Sequence, residues 1–464
     1  MRKNYDVVII GAGPGGIFTA FSIKEHNPSL SIAIVEAGHE LQKRHCPIDG
    51  NKIKSCIHCK PSCSIMSGFG GAGAFSDGKY NITNDFGGTL FEKIGKDYAL
   101  KLMHDVDKIN CGFGHIDDKS CKIYNSANSK FHTLCLQNNL KLQNAIIRHL
   151  GTDLNYKILS NMYDYLKRNW VNFYFNTSIE SITKLQNGRY LVCSKDNEFV
   201  CDSCVVAVGR SGHELIHRIC KDLDIHTKAN KADIGVRIEI PYAIFSHITE
   251  ELYESKIVYT TNTYEDKVRT FCMNPHGIVV NENTNGIVTV NGHSYEDPEK
   301  HTDNTNFALL VGKKFTEPFN DSVAYCESIV KLSNMLGGGV IVQRFGDLIR
   351  GRRTNEKRLN KSTVKPTLNA TPGDLSLVLP KRILDDIIET IYALNKIAPG
   401  IANDDTLLYG VETKFYNTEV DVNEFLETKH DGLYIIGDGS GITHSLSQAA
   451  ASGIYVGEHI ALNL

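Results

Sequence analysis

Residues Tyr5 to Glu36 read YDVVIIGAGPGGIFTAFSIKEHNPSLSIAIVE, and this stretch decides the fold. A short apolar strand breaks into Gly11, Gly13 and Gly16, a helical segment follows, and a second apolar strand closes on an acid. Gly11 permits the tight turn off the strand, Gly13 removes the side chain that would hold the backbone away from a pyrophosphate, and Gly16 lets the helix lie close to the sheet. The pyrophosphate then rests on the exposed N–H groups of the helix start. Glu36 falls twenty residues past Gly16. There its carboxylate is expected to accept both hydroxyl protons of an adenosine ribose and to repel a phosphorylated one. A lone GxGxxG is also found as a plain turn in glycine-rich chains; here strand, helix, strand and acid surround it in the required order. Pro14, Gly15, Ala37 and Arg44 complete the expected cofactor-lining set at this end of the chain.

The other end carries a second motif. Residues 432 to 464, GLYIIGDGSGITHSLSQAAASGIYVGEHIALNL, give an apolar strand, then Gly437-Asp438-Gly439, then a helix lined with Ala449, Ala450, Ala451, Gly453 and Gly457. With this motif the chain resembles the superfamily of FAD flavoproteins that share the glutathione-reductase fold. The resemblance implies that Asp438 holds the ribitol and that the following helix directs its N-terminus at the flavin ring. A helix N-terminus carries partial positive charge and stabilises the anion that develops at the N1–O2 side of reduced flavin. The small residues also allow tight packing of helix on sheet, which is their structural reading. A simple NAD dehydrogenase has no use for this second motif, so FAD is the expected tightly held cofactor.

Between the two ends, residues 153 to 169 place Leu154, Ile158, Met162, Tyr165 and Leu166 at helical spacing behind Asp153, the expected N-cap. VNFYFNTSIESITKL, GRYLVCSK, EFVCD and CVVAVGRSG then read as short strands. The same resemblance implies that Val208 and Gly209 pass near the FAD pyrophosphate and that Ile179 lies near the adenine.

The expected fold class is α/β: a discontinuous Rossmann-like FAD-binding domain with a parallel sheet and small β-meander, plus a second, mainly antiparallel α+β substrate domain. The expected bounds are 1–85, 140–230 and 408–464 for FAD binding, 86–139 for a helical and loop insertion, and 231–407 for the substrate or cap domain. A formal net charge of −3 over 464 residues gives no electrostatic footprint for nucleic acid or an anionic membrane. Arg2-Lys3 precedes too few apolar residues for a signal peptide, and no stretch approaches a membrane span. Thirteen cysteines, an odd number spread through a large chain, read as reduced thiols and point to the cytoplasm.

Four of those cysteines are close together. Cys46, Cys56, Cys59 and Cys63 follow the spacing C-x9-C-x2-C-x3-C. Four thiolates at that spacing suit a zinc or iron–sulfur site, with His45 and His58 as substitutes. The alternatives are a redox pair at Cys56 and Cys59, a single reactive thiolate at Cys63, or structural thiols in a loop. The segment SGFGGAGAFSDGKYN that follows is too rich in glycine for a helix or regular strand, so its backbone closely approaches something. By resemblance its Gly70, Gly71 and Ala72 run beside the flavin and pyrophosphate.

The resemblance narrows to bacterial FAD-dependent, or NAD(FAD)-utilising, dehydrogenases. The matching blocks are CPI…C…C…GGAGAFSDGKYN, HLGTDL at His149, ADIGVRIEIP at Ala232, RTFCMNPHGIVV at Arg269, FGDLIRGRR at Phe345 and LLYGVETKFY at Leu407. In DIGVRIEI the alternation of Ile234, Val236, Ile238 and Ile240 with Gly235, Arg237 and Glu239 predicts a half-buried strand. Arg237, Tyr409 and Glu412 are the catalytic candidates, with Arg344, Arg352 and Arg353 beside them. An arginine grips a carboxylate through two parallel hydrogen bonds, and a glutamate or tyrosine moves a proton. Structural ion pairing is the competing role for each.

The expected reaction is hydride transfer between a small-molecule substrate and flavin N5, with FAD supplying the redox chemistry. No second GxGxxG in a strand context marks a separate NAD(P)H domain, which leaves a transient nicotinamide or an external acceptor. A flavin-dependent hydroxylase using O2 is the first alternative. A flavoprotein acting on tRNA, or serving as an electron-transfer subunit, is the second, against which stand the acidic balance and the missing Lys/Arg stripe.

Overall fold

Four apolar runs line up in parallel. The strands Asn172–Tyr174, Ile32–Val35, Arg2–Ile10 and Glu198–Val206 lie side by side in that order. Val7 to Ile9 and Ile32 to Ile34 are wholly buried, as expected for parallel strands covered on both faces. The free side of Glu198–Val206 is shared. Its first half pairs antiparallel with Tyr190–Ser194, which pairs with Ile179–Lys184, and its second half pairs in parallel with Leu433–Ile435. The expected segments EFVCD and CVVAVG are therefore one nine-residue strand, because Arg2–Ile10 pairs with it from Glu198 to Val206.

The computed structural model describes every residue except 1, 48–58, 60, 61, 77, 118–120, 122, 128, 285, 296, 297, 316–318 and 320, with the backbone alone at 210, 284 and 415. The chain divides into two compact units: Met1–Ile123, Ile146–Ala229 and Tyr416–Leu464 form one, and Tyr124–Ala145 with Asn230–Phe415 the other. The divisions differ from the expected ones because strand pairing overrides sequence blocks. Leu407–Phe415 bonds to Ala232–Pro241 and to Ile341–Arg344 and so belongs to the second unit. Leu140–Leu142 follows its partner Ile257–Thr260 there. The expected insertion 86–139 is split, since helix Lys96–Gly114 buries Leu102, Met103 and Val106 in the core of the first unit.

In the first unit, helix Pro14–His26 packs on the C-terminal helix Leu446–Asn463. The approach is so close that a Cβ at Gly453 would lie 2.3 Å from the Gly15 carbonyl oxygen. Helix Gly151–Arg168 buries Ile158, Met162 and Leu166 of the expected stripe. Its N-cap is Leu150, not Asp153. Gly151, at φ +71°, turns the chain into the helix earlier, and Asp153 sits in the first turn, where its charge complements the helix dipole.

The second unit is built on an eight-stranded sheet, antiparallel except where Ile341–Arg344 meets Thr371–Pro372. Ile234, Val236, Ile238 and Ile240 share one face and join Phe245, Ile248, Phe307, Leu309, Ile387 and Ile391 in a single apolar cluster. The strand is not half-buried as its alternation suggested. Asp233, Arg237 and Glu239 on the opposite face are buried as well, because the hairpin of Ile278–Thr284 and Ile287–His293 brings Asn291 within hydrogen-bond distance of Arg237.

Candidate functional site

In the first unit, the loops that leave the parallel strands converge. Gly11 holds φ +103°, and a Cβ there would lie 2.6 Å from the Ala207 carbonyl oxygen. Val208 and Gly209 continue from Ala207, and Val208 C=O accepts the Gly439 N–H at 2.8 Å. The Gly70 N–H donates to Ala12 C=O at 2.7 Å, and a Cβ at Gly71 would lie 3.2 Å from the Gly13 Cα. The segments around Gly11, Gly70, Val208 and Gly437 are thus one contiguous cluster of backbone. Among the described residues, a Cβ built at Gly13 or at Gly209 meets nothing within 4 Å, so at both positions the backbone faces open space. Pro14 opens the following helix and no side chain caps it, which leaves its first-turn N–H groups for an anion.

Glu36 organises these loops. Its Oε2 accepts the Ala12 N–H at 2.8 Å, and its Oε1 accepts those of Gly38 at 2.8 Å and Gly68 at 2.9 Å. An ionised carboxylate offers about four acceptor positions. Three are taken, so it has room for one ribose hydroxyl proton where two were expected. Arg44 is also buried, donating to the carbonyls of Ser64, Ile65 and Phe69. Burial pulls its pKa down to about 10 against the opposing pull of Glu36, Cys63 and Tyr156, so it stays charged at neutral pH and clamps the glycine loop from behind. Ala37 is half-buried between Glu36 and Gly38, Ala72 is exposed in the turn Gly71–Phe75, and Ile179 is buried at the start of its strand.

In the tail of the chain, Gly437 holds φ +73° and the turn Asp438–Ser440 follows. The Asp438 C=O accepts from Asn417 Nδ2 at 3.2 Å, and its carboxylate meets His444 Nδ1 at 3.0 Å. His444 stands outside every motif singled out in the sequence; its signal is its place between a glycine-aspartate turn and a serine N-cap. Ser445 Oγ caps helix Leu446–Asn463 by accepting the Gln448 N–H. Among the described residues, the buried hydroxyls of Thr443 and Ser447 at this helix start have no hydrogen-bond partner. An uncapped helix N-terminus, two stretches of open glycine backbone and orphaned buried hydroxyls together fit a dinucleotide whose polar groups complete them.

The catalytic candidates belong to the second unit. Arg237 is wholly buried, and its five N–H donors are matched by Glu412 twice, at 2.7 and 2.8 Å, and by Cys272 C=O, Asn306 and Asn291. No donor is left to grip a substrate carboxylate, and Glu412 is the other half of the pair. Burial opposes the charge on Arg237, but Glu412 and Cys272 push its pKa above the ordinary value. Tyr409 donates to Glu239 at 2.5 Å, and burial holds its pKa well above the usual phenol range. The side chains of all three are thus engaged in hydrogen bonds within the second unit. Arg344 and Arg352 pair with Asp347, which is wholly buried; Arg353 is exposed. Cys46, Cys59 and Cys63 are free thiols, Cys63 exposed. Cys56 lies outside the described residues, and among the described residues no three His, Cys, Asp or Glu side chains form a metal-binding group.

Residues 232–415 match the family described as FAD-dependent protein, C-terminal domain-like. The chain is also 27% identical over 473 residues to an uncharacterised protein of Clostridium beijerinckii, covering 98% of this chain and 80% of that one. Glycine oxidase from Geobacillus kaustophilus is 9% identical with a TM-score of 0.41, covering 99% of this chain and 95% of that one. L-proline dehydrogenase from P. horikoshii is 12% identical with a TM-score of 0.41, covering 100% and 95%. Structural likeness of that degree carries no inference about activity. Among the described residues, no helix is long and apolar enough to cross a membrane. The match of residues 232–415 to an FAD-dependent family, with the open glycine loops of the first unit, makes FAD the cofactor of this chain.

Proposed function

We propose that the protein is a dehydrogenase or reductase that moves hydride between a small-molecule substrate and flavin N5, laid out like the glutathione-reductase-fold flavoproteins and the bacterial NAD(FAD)-utilising dehydrogenases. Cofactor binding belongs to Met1–Ile123, Ile146–Ala229 and Tyr416–Leu464, and substrate recognition to the second unit. One observation carries the reading: open backbone at Gly13 and Gly209 in the same cluster of loops as the Gly437–Gly439 turn. When bound, FAD supplies the two-electron acceptor or donor.

The chain's own residues bind and orient. The N–H groups at the start of Pro14–His26 take the pyrophosphate, and Glu36 takes a ribose hydroxyl while fixing three loop N–H groups. Asp438 takes a ribityl hydroxyl. The N-terminus of Leu446–Asn463 lowers the energy of negative charge arising on the ring. Arg237, Tyr409 and Glu412 hold the second unit's sheet and touch no substrate. The partner is a small molecule, with a nicotinamide visiting transiently or an external acceptor, in the cytoplasm and without nucleic acid or membrane.

Anaerobic mixing of the holoprotein with NADH, with NADPH and with a panel of small hydroxy, amino and unsaturated acids tests this, following loss of the yellow flavin absorbance. Full two-electron bleaching by at least one compound, slowed when the transferred hydrogen is deuterium, is the expected result. Reduction by one-electron donors alone, or hydroxylation of an added aromatic when the reduced protein meets O2, would overturn it.

A further inference from the structure

The Asp438 carboxylate has a protein partner on its own turn, His444, with Nδ1 3.0 Å from Oδ1. An ionised carboxylate only accepts, so the imidazole proton sits on Nδ1 and the contact sets the ring and the carboxylate plane together. The ring is itself held. The His444 backbone N–H donates to Gly87 C=O at 2.8 Å, the Tyr416 ring lies at 4.3 Å between centroids, and the His444 side chain is only 10% exposed. One residue later Ser445 caps the C-terminal helix, so the contact is made by the residue next to that helix's N-cap. An exposed ion pair contributes little, but this contact is largely shielded and directed at one oxygen of one carboxylate.

We propose that His444 is a positioning residue for the flavin nucleotide: its Nδ1–H fixes the Asp438 carboxylate in the orientation that receives a ribityl hydroxyl of the cofactor. The inference rests on the FAD reading above. His444 acts through Asp438 and not by touching the reacting atoms. Loss of the contact removes the hydrogen bond that sets this oxygen of the carboxylate and lowers FAD affinity without removing any group that binds FAD directly.

Full-length protein stripped of FAD and titrated with it separates the possibilities. His444→Leu is expected to weaken FAD binding by about tenfold or more, the scale of a hydrogen bond to a charged group. His444→Asn, whose amide N–H falls where Nδ1–H was, is expected to stay within about threefold of the wild type. If His444→Leu does not fold, His444→Gln takes its place, since its amide lies one methylene beyond the Nδ1 position. In an Asp438→Ala background, removing His444 is expected to cost nothing further, because the group it positions is gone. Unchanged affinity in His444→Leu, an Asn variant as weak as the Leu variant, or the same loss with and without Asp438 would each overturn the assignment. A wild-type chain that takes up no FAD would instead overturn the parent reading, and this one with it.

Discussion

Glu36, the proposed ribose ligand, also ties three loop N–H groups together. It was legible in the sequence as the acid that ends the second strand. Its three backbone partners were not, because Gly38 and Gly68 lie in loops with no periodicity that would place them beside it. Replacing Glu36 by Ala leaves three buried N–H groups unpaired, each costing about 1–3 kcal/mol. The variant is expected to unfold at clearly lower urea concentration and to purify without flavin; unchanged urea stability would show that the three bonds are not made. A second residue gives a pH signature. Burial pushes the Asp386 carboxyl up to about 6, a hydrogen bond from Thr261 opposing and the neighbouring Asp266 adding. The folded chain then keeps a proton that the unfolded chain releases, so this group's contribution falls as pH rises from the ordinary value of 3.8 to about 6 and stays low above it. Asp386→Asn is expected to gain stability relative to the wild type across that window and to hold the gain at higher pH. Melting curves at stepped pH check this, and a pH-independent difference would contradict it.

At the scale of elements, alternation along Ala232–Pro241 correctly sorted its residues onto two faces and misjudged what covers the second. A period of two says which residues share a face and nothing about a hairpin arriving from fifty residues away. Arg237, expected to grip a carboxylate, and Glu412, expected to move a proton, form a buried ion pair with Asn291 of that hairpin bonded to the arginine. Truncating one partner of such a pair strands the other, at about 3–5 kcal/mol, whereas replacing both by apolar residues of similar volume is far milder. Arg237→Met is therefore expected to destabilise strongly, and Arg237→Met with Glu412→Leu to recover most of the loss in urea melts. A double variant as weak as the single would contradict a mainly structural role. The helix pair of the first unit makes a simpler case. Gly453→Leu places a side chain where a single Cβ already falls 2.3 Å from the Gly15 carbonyl oxygen, so overpacking of about 1–3 kcal/mol and a lower melting temperature are expected.

At the scale of the whole chain, the discontinuous first unit was readable because both of its ends carry the same grammar of apolar strand, glycine turn and helix. Its exact limits were not. The long strand Leu407–Phe415 sits in sequence beside the flavin tail yet hydrogen-bonds into the other sheet. The helix Lys96–Gly114, expected in an insertion, completes the first core.

The central claim is that the front and tail of the chain hold a single flavin nucleotide together. It is tested most directly by titrating flavin-stripped full-length protein with FAD, in the wild type and in Gly13→Val and Asp438→Ala. The account predicts one FAD bound per chain, with affinity lowered by about tenfold or more in each variant although the two sites are at opposite ends of the sequence. A wild type that stays colourless and binds no FAD, or two variants that bind it as tightly as the wild type, would contradict it.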